Sequence, residues 1–154
     1  GRPLMFARQM TIAVTVVLAS TGLALGGCSA DSAAPSVTSG TAATQAPAQG
    51  SHLDTAAFAA SSQRAGTVLL DVRTPEEFAS GHLAGSVNLD YEGDFVAGLA
   101  DLDPNVEYAV YCRSGNRSAG AVSAMVDAGF TRVYDLSGGI LAWQADGGEV
   151  VTGD

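Results

Sequence analysis

The stretch YAVYCRSGNRSAGAVSAMVDA, residues 108–128, joins an apolar run to a polar loop and then to a segment with helical periodicity. Residues 108–111 predict the central strand of a sheet, Cys112 stands at its end, and residues 119–128 predict a helix that stops at Gly129. The backbone amides of such a loop and the positive end of the helix dipole favour a negative charge in the space they enclose. The pKa of a free cysteine is about 8.5 and falls to about 3.5–7.5 at helix N-termini beside cations. The stretch therefore predicts a nucleophilic thiolate at Cys112.

Short strands and helices alternate in both directions from this stretch. Residues 67–70 are typical of a buried parallel strand, and shorter strands are predicted at Val87 and at residues 133–134. Helices are predicted at residues 54–60, 95–99 and 140–144, and also after the capping box Thr74-Pro75-Glu76-Glu77, where Gly81 ends the helix. This alternation predicts an α/β fold with a mostly parallel sheet of about five strands and helices on both faces. Sites in such sheets lie beyond the carboxyl ends of the strands, which places Asp71 and Arg73 near Cys112.

The first 27 residues have the pattern of a secretory signal peptide. Arg2 and Arg8 form a basic region, residues 12–25 are apolar and uncharged, and the sequence LGGC follows at residues 25–28. This sequence resembles the bacterial lipobox, which implies that the signal is cut before Cys28 and that Cys28 carries a lipid on the outer face of the cell membrane. A cleaved signal without lipid and an uncleaved anchor helix are the alternatives, although the apolar run is short for a bilayer span of about 20 residues.

Residues 28–51 predict a disordered linker, and residues 52–154 predict one domain. The linker is rich in Ser, Thr, Ala, Pro and Gln and has too few large apolar residues to offset its ordering entropy. The whole chain has 7 basic residues, 16 acidic residues and a net charge of −9, and loss of Arg2 and Arg8 with the signal makes the charge −11. Nucleic acid and anionic lipid surfaces are therefore not expected partners of the domain.

The chain has 2 cysteines, Cys28 and Cys112. If Cys28 is lipidated, Cys112 has no partner for an intramolecular disulfide. An unpaired thiol outside the cytoplasm is either buried and inert or used for its reactivity, and the surrounding loop favours the second interpretation.

Four motifs in this order resemble those of a single-domain rhodanese of the thiosulfate sulfurtransferase type. They are residues 71–78, residues 81–88, residues 112–118, and Gly138-Gly139 with Trp143, and the resemblance covers about residues 52–150. It implies a rhodanese-like fold and a sulfurtransferase reaction without a cofactor. Cys112 would attack a small anionic sulfur donor such as thiosulfate, become a persulfide, and pass the outer sulfur to cyanide or a thiol, including a protein thiol. The persulfide cradle would be Arg113, Ser114, Gly115, Asn116, Arg117 and Ser118.

Two other functions remain open at this stage. Phosphatases that use a cysteine thiolate follow Cys-x5-Arg, whereas Cys112 and Arg117 follow Cys-x4-Arg, and Tyr111 replaces the histidine that commonly precedes a phosphatase cysteine. The loop thus favours sulfur over phosphate or arsenate. A rhodanese-like persulfide carrier or protein-binding module with little turnover is the second alternative, although the intact cysteine loop argues against an inactive module.

The remaining polar residues have structural or supporting interpretations. Asp71 and Arg73 are candidates for substrate guidance, with structural pairing favoured for Asp71. His82 is expected to shape a turn and His52 to be exposed next to the linker, and their spacing predicts no metal site. Gly138-Gly139 could line the pocket.

Overall fold

The computed structural model describes residues 40–153 of the chain. The predicted signal, the lipid site at Cys28 and the linker up to residue 39 lie outside this range. Within residues 40–153, five parallel strands form one sheet in the order β1-β5-β4-β2-β3. The strands are β1 (His52–Leu53), β2 (Thr67–Asp71), β3 (Val87–Asn88), β4 (Glu107–Tyr111) and β5 (Val133–Leu136). The helices are α1 (Thr55–Ser62), α2 (Pro75–Ser80), α3 (Phe95–Leu99), α4 (Asn116–Asp127) and α5 (Gly139–Ala145).

The central strand β4 separates two apolar layers. All of its residues are buried, and successive side chains point to opposite faces of the sheet. Tyr108 and Val110 belong to a core that includes residues of α3 and α4, whereas Ala109 and Tyr111 belong to a core that includes residues of α1 and α5. The predicted α/β architecture, with helices on both faces, is confirmed.

Local sequence signals set where the first helices begin. The Asp54 carboxylate accepts a hydrogen bond from the Ala57 amide at 2.8 Å and caps α1. In the predicted capping box of α2, Thr74 Oγ1 accepts from the Glu77 amide at 3.3 Å and Glu77 Oε2 accepts from the Thr74 amide at 3.2 Å. The helix ends at Gly81, as the sequence predicts.

Two features differ from the prediction. Helix α4 begins at Asn116, so the last three residues of the loop 112–118 belong to its first turn. Strand β1 is not predicted from the sequence; it pairs with β5 and places His52 opposite Asp135. Residues 43–50, which the sequence assigns to the linker, contact the domain.

Main-chain and side-chain hydrogen bonds show this contact. The Ala43 amide donates to the Ala60 carbonyl at 2.8 Å and the Gly50 amide to the Val133 carbonyl at 2.7 Å, while the Gln49 side chain donates to the Phe130 carbonyl. Among the described residues, we find no helix with the length and apolar character needed to cross a bilayer.

Candidate active site

The cysteine loop closes around the sulfur of Cys112 at the carboxyl end of β4. Cys112 is 1% exposed, and its Sγ accepts a hydrogen bond from the Gly115 amide at 3.0 Å. Gly115 has a φ of 101°, and a Cβ there would lie 3.0 Å from the Gly138 nitrogen, so glycine suits both the turn and the close packing. Helix α4 starts at the next residue without a side-chain cap, which leaves its first amides directed towards the site.

The Gly138-Gly139 turn supports this loop from behind. The Ile140 amide donates to the Cys112 carbonyl at 2.8 Å, and the Leu141 amide donates to the Arg113 carbonyl at 3.2 Å. Gly139 has a φ of 60°, and a Cβ there would lie 2.5 Å from the carbonyl carbon of Arg113. The glycine pair therefore lets the start of α5 pack directly on the cysteine loop.

Arg117 is a fixed cation at the rim of the loop. Its two terminal nitrogens each donate to one Glu77 oxygen at 2.8 Å, and one of them also donates to Glu92 at 3.2 Å. The hydrogen bonds from Arg117 lower the pKa of Glu77 to about 2. The hydrogen bond to Glu77 raises the pKa of Arg117 above its ordinary value, and the charge on Cys112 adds to this shift. Arg117 therefore stays positively charged and is held in place by two carboxylates.

Arg113, the other arginine of the loop, is not held by an ion pair among the described residues. It is exposed. Together with Arg73 it contributes to a cavity of about 230 Å³ beside the cysteine loop. The cavity is lined by Arg73, Glu77, Ser80, Gly81, Arg113, Ile140, Leu141, Gln144 and Val150. Arg113 is thus an exposed cation in the lining of this cavity.

Asp71 and Arg73 form a buried ion pair. Arg73 Nη2 donates to Asp71 Oδ2 at 2.6 Å and to the Gly81 carbonyl at 2.6 Å, and the Arg73 amide donates to Asp71 Oδ1 at 2.9 Å. Asp71 is 0% exposed and paired with Arg73, which is the structural pairing that the sequence favours for it. Arg73 is 4% exposed and holds the turn at Gly81 while it forms part of the cavity wall.

The contacts of His82 are structural and hold the turn in which it lies. The His82 ring stacks on Phe78 with 3.8 Å between ring centroids, and its Nδ1 lies 2.9 Å from the Phe78 carbonyl. Its backbone pairs with Val151 through hydrogen bonds of 2.9 and 2.8 Å. His82 therefore shapes the turn and fastens the end of the described chain beside the cavity.

The sequence analysis did not predict a series of polar side-chain contacts that starts at the Cys112 sulfur. Ser118 Oγ lies 3.6 Å from Cys112 Sγ and donates to Asp135 Oδ2 at 2.7 Å. Asp135 Oδ1 lies 2.5 Å from His52 Nδ1, so His52 is not merely an exposed residue next to the linker. The pairing of β1 with β5 creates this contact, and no local sequence signal marks it.

The residues predicted to form the persulfide cradle, 113–118, follow Cys112 in the loop and the first turn of α4, and they make different contacts. Gly115 supplies the amide to the sulfur, Ser118 lies buried beneath it, and Arg117 is fixed at the rim. Ser114 and Asn116 are exposed. The two carboxylates that hold Arg117 were not predicted as site residues, although Glu77 lies in a motif that the sequence marks as a helix start.

Comparison with known proteins agrees with this geometry. Residues 54–146 match the family model of the Rhodanese-like domain. The thiosulfate sulfurtransferase GlpE of Stutzerimonas stutzeri is 42% identical over 84 residues, which cover 53% of this chain and 74% of that protein. The chloroplastic thiosulfate sulfurtransferase 16 of Arabidopsis thaliana is 38% identical over 94 residues, covering 54% of this chain and 78% of that protein.

A solved structure shows the same likeness. The crystal structure of a rhodanese-related protein from Thermoplasma volcanium matches with a TM-score of 0.59 and 32% identity, and covers 66% of this chain and 97% of that one.

Proposed function

The chain belongs to the rhodanese-like domain family, and we propose that it transfers a sulfane sulfur from a donor such as thiosulfate to a thiophilic acceptor through a persulfide on Cys112. Sulfur transfer of the rhodanese type follows from the family and from its thiosulfate sulfurtransferase relatives. The observation that carries the persulfide step is the loop around Cys112, in which the Gly115 amide donates to a buried sulfur at 3.0 Å.

The proposed reaction has two displacement steps. The Cys112 thiolate attacks the outer sulfur of thiosulfate, a new S–S bond forms, and sulfite leaves with the electron pair of the bond that breaks. Cyanide or a thiolate then attacks the outer sulfur of the persulfide, takes that sulfur, and returns the electron pair to Cys112. Neither step requires a metal or a redox cofactor, because the sulfur donor itself supplies the oxidised sulfur.

The charges of the loop suit both steps. The Gly115 amide stabilises the negative sulfur of Cys112, and the uncapped first turn of α4 can donate to the outer sulfur of a persulfide. Arg113 is available to an anionic donor because no carboxylate of the described residues pairs with it, whereas Arg117 is already paired with Glu77. Arg113 is therefore the residue that we expect to bind the donor and its leaving group.

The size of the loop favours sulfur over phosphate. Between Cys112 and Arg117 only four residues intervene, and Gly139 packs against the back of the loop with no room for a Cβ. A phosphoryl group needs several donors around three oxygens, whereas a persulfide adds one sulfur atom. Turnover of an aryl phosphate by the purified protein would contradict this assignment.

Intact-protein mass spectrometry tests the persulfide. After incubation with thiosulfate, we expect the protein to gain one sulfur atom, and cyanide should remove it. Cys112→Ser should abolish the gain, while Cys28→Ser, the matched control, should keep it. A protein that gains no sulfur from thiosulfate, a polysulfide or a small persulfide donor would favour the binding-module alternative.

The second step, transfer of sulfur to the acceptor, distinguishes a catalyst from a persulfide carrier that serves one acceptor protein. A catalyst would release the sulfur to cyanide and to several small thiols with multiple turnovers. A persulfide carrier would load once and release sulfur only when the acceptor protein is added. We favour the catalyst because Arg113 and the open cavity beside it are accessible to small molecules.

We also propose that the domain works outside the cytoplasm as a lipoprotein. The support is the sequence alone: a basic start, an uncharged apolar run and the lipobox-like sequence LGGC ending at Cys28. Labelling with a palmitate analogue in a bacterial host should mark the wild-type chain and leave Cys28→Ala unlabelled and absent from the membrane fraction. Equal labelling of the two chains would contradict the lipid anchor.

A further inference from the structure

A chain of polar contacts leads from the buried sulfur of Cys112 to an exposed histidine on the edge strand β1. The Cys112 thiol lies 3.6 Å from Ser118 Oγ, Ser118 donates to Asp135 Oδ2 at 2.7 Å, and Asp135 Oδ1 lies 2.5 Å from His52 Nδ1. Ser118 and Asp135 are 0% and 1% exposed, whereas the His52 side chain is 54% exposed. We propose that these three residues are a positioning relay, through which the charge of His52 controls the reactivity of the Cys112 thiolate.

Ser118 is the switching element of this relay because it has one hydroxyl hydrogen and more than one acceptor. In the thiol form, Cys112 donates to Ser118 Oγ while Ser118 donates to Asp135 or to the Gly115 carbonyl, 3.1 Å away. In the thiolate or persulfide form, the sulfur becomes a further acceptor for the same hydrogen. The charge of Asp135 decides which of these acceptors receives the Ser118 hydroxyl hydrogen.

Asp135 opposes the thiolate when its own charge is not balanced. A carboxylate one hydroxyl group away from the sulfur retains the Ser118 hydrogen and adds a like charge, and both effects disfavour the charged form of Cys112. His52 is the only basic side chain that contacts Asp135 among the described residues. When His52 is protonated, it neutralises Asp135, the Ser118 hydroxyl can turn to the sulfur, and the thiolate is favoured.

The Arg117–Glu77 pair near the relay stays charged over the neutral pH range, because Arg117 has a raised pKa and Glu77 a pKa of about 2. Glu92 at the rim and Asp127, which lines an open cavity of about 350 Å³ with His52, are the other acidic side chains near the relay. The switch that the proposal invokes is protonation of an imidazole, the side-chain group suited to a change of charge near neutral pH.

The rate of alkylation of Cys112 by iodoacetamide measures the relay directly. The full chain is used, and peptide mass spectrometry separates Cys112 from Cys28. In His52→Gln, an amide replaces the ring and cannot become positive. We expect alkylation of this variant to be about 3- to 10-fold slower than wild type near pH 6 and equal near pH 9. His82→Gln, the matched control at the other histidine, should keep the wild-type profile.

A second pair of variants tests the path through Asp135. Asp135→Asn keeps an acceptor for Ser118 but removes the charge, so adding His52→Gln to it should change neither the rate nor its pH dependence. Circular dichroism at each pH establishes that the compared chains are folded. Equal slowing of His52→Gln at every pH would indicate a structural role and overturn the relay, as would a full effect of His52→Gln in the Asp135→Asn background.

The relay rests on the proposed function only in taking Cys112 as the reacting group. Alkylation needs no sulfur donor, so its pH profile tests the relay whether or not a persulfide forms. The mass gain with thiosulfate tests the persulfide whether or not His52 affects the thiolate. Failure of either one can therefore be recognised separately.

Discussion

Replacing Gly139 by alanine should damage the active site more than the fold. Gly139 has a φ of 60°, and an added Cβ would lie 2.5 Å from the carbonyl carbon of Arg113 and would also overlap the Cys112 carbonyl. Placing an L-residue in the left-handed region costs about 1–2 kcal/mol, and overpacking adds about 1–3 kcal/mol. Because the overlapped atoms are backbone, the overlap is relieved only if the cysteine loop moves.

This movement predicts a large kinetic effect. A displacement of about 1 Å at a reacting group can lower a rate on the order of 100-fold, and we expect a loss of that size in kcat/KM for thiosulfate and cyanide. Formation of thiocyanate measures the rate, and urea unfolding followed by circular dichroism measures the free energy of unfolding. Activity is compared at a temperature where the unfolding curves show the chains to be folded.

Gly66→Ala is the matched control for backbone strain. Gly66 has a φ of 82°, but a Cβ there would meet nothing within 4 Å. It should lose about 1–2 kcal/mol of stability and keep its kcat/KM. Gly115→Ala, whose Cβ would lie 3.0 Å from the Gly138 nitrogen, should fall between the two. A folded Gly139→Ala protein with kcat/KM within about threefold of wild type would refute the reasoning, since the loop would then tolerate the displacement.

Three further predictions concern stability. Glu77→Gln removes the charge partner of Arg117. The pKa of Glu77 falls from 4.5 to about 2 in the folded protein. The charged Glu77 side chain therefore stabilises the fold fully above about pH 4.5, and this stabilisation disappears as the pH falls through about 2. After solvent screening, we expect urea unfolding to show a loss of about 1–2 kcal/mol at neutral pH and none in strong acid, and a constant loss would contradict this. Tyr111→Phe leaves the buried Leu83 amide without its acceptor and should cost about 1–3 kcal/mol in thermal unfolding; an unchanged Tm would refute the role of that hydroxyl. Asp54→Ala removes the cap of α1 and should cost about 1 kcal/mol without changing kcat/KM.

The features that the sequence predicted correctly have local causes. The capping box at residues 74–77 fixes the start of α2 through contacts between residues three apart, and the apolar run before Cys112 makes a strand buried on both faces. The loop after Cys112 could be recognised because residues 112–118 carry the residue types and spacing of a known family motif. The start of α4 was placed late because polar residues in the first turn of a helix have no apolar periodicity.

The features that were missed depend on contacts between distant segments. Strand β1 has two residues, too few for a pattern, and it exists because β5 offers an edge for pairing. The contact between His52 and Asp135 joins residues 83 positions apart and requires that register. Likewise, Glu77 and Arg117 are 40 positions apart in the sequence. They form an ion pair because the fold places α2 beside the cysteine loop.

The pairing of Val151 with His82 has a practical consequence for how the protein is produced and labelled. Val150 lines the cavity beside Arg73 and Arg113, and the bridge at Val151 keeps the following residues close to it. Thr152 and Gly153 after Val151 extend at most about 7 Å, so an affinity tag or fluorescent protein inserted directly after Gly153 would emerge next to this cavity. A fusion at this position would compete with large sulfur acceptors for space, and enzymatic assays should use chains from which such a fusion has been removed.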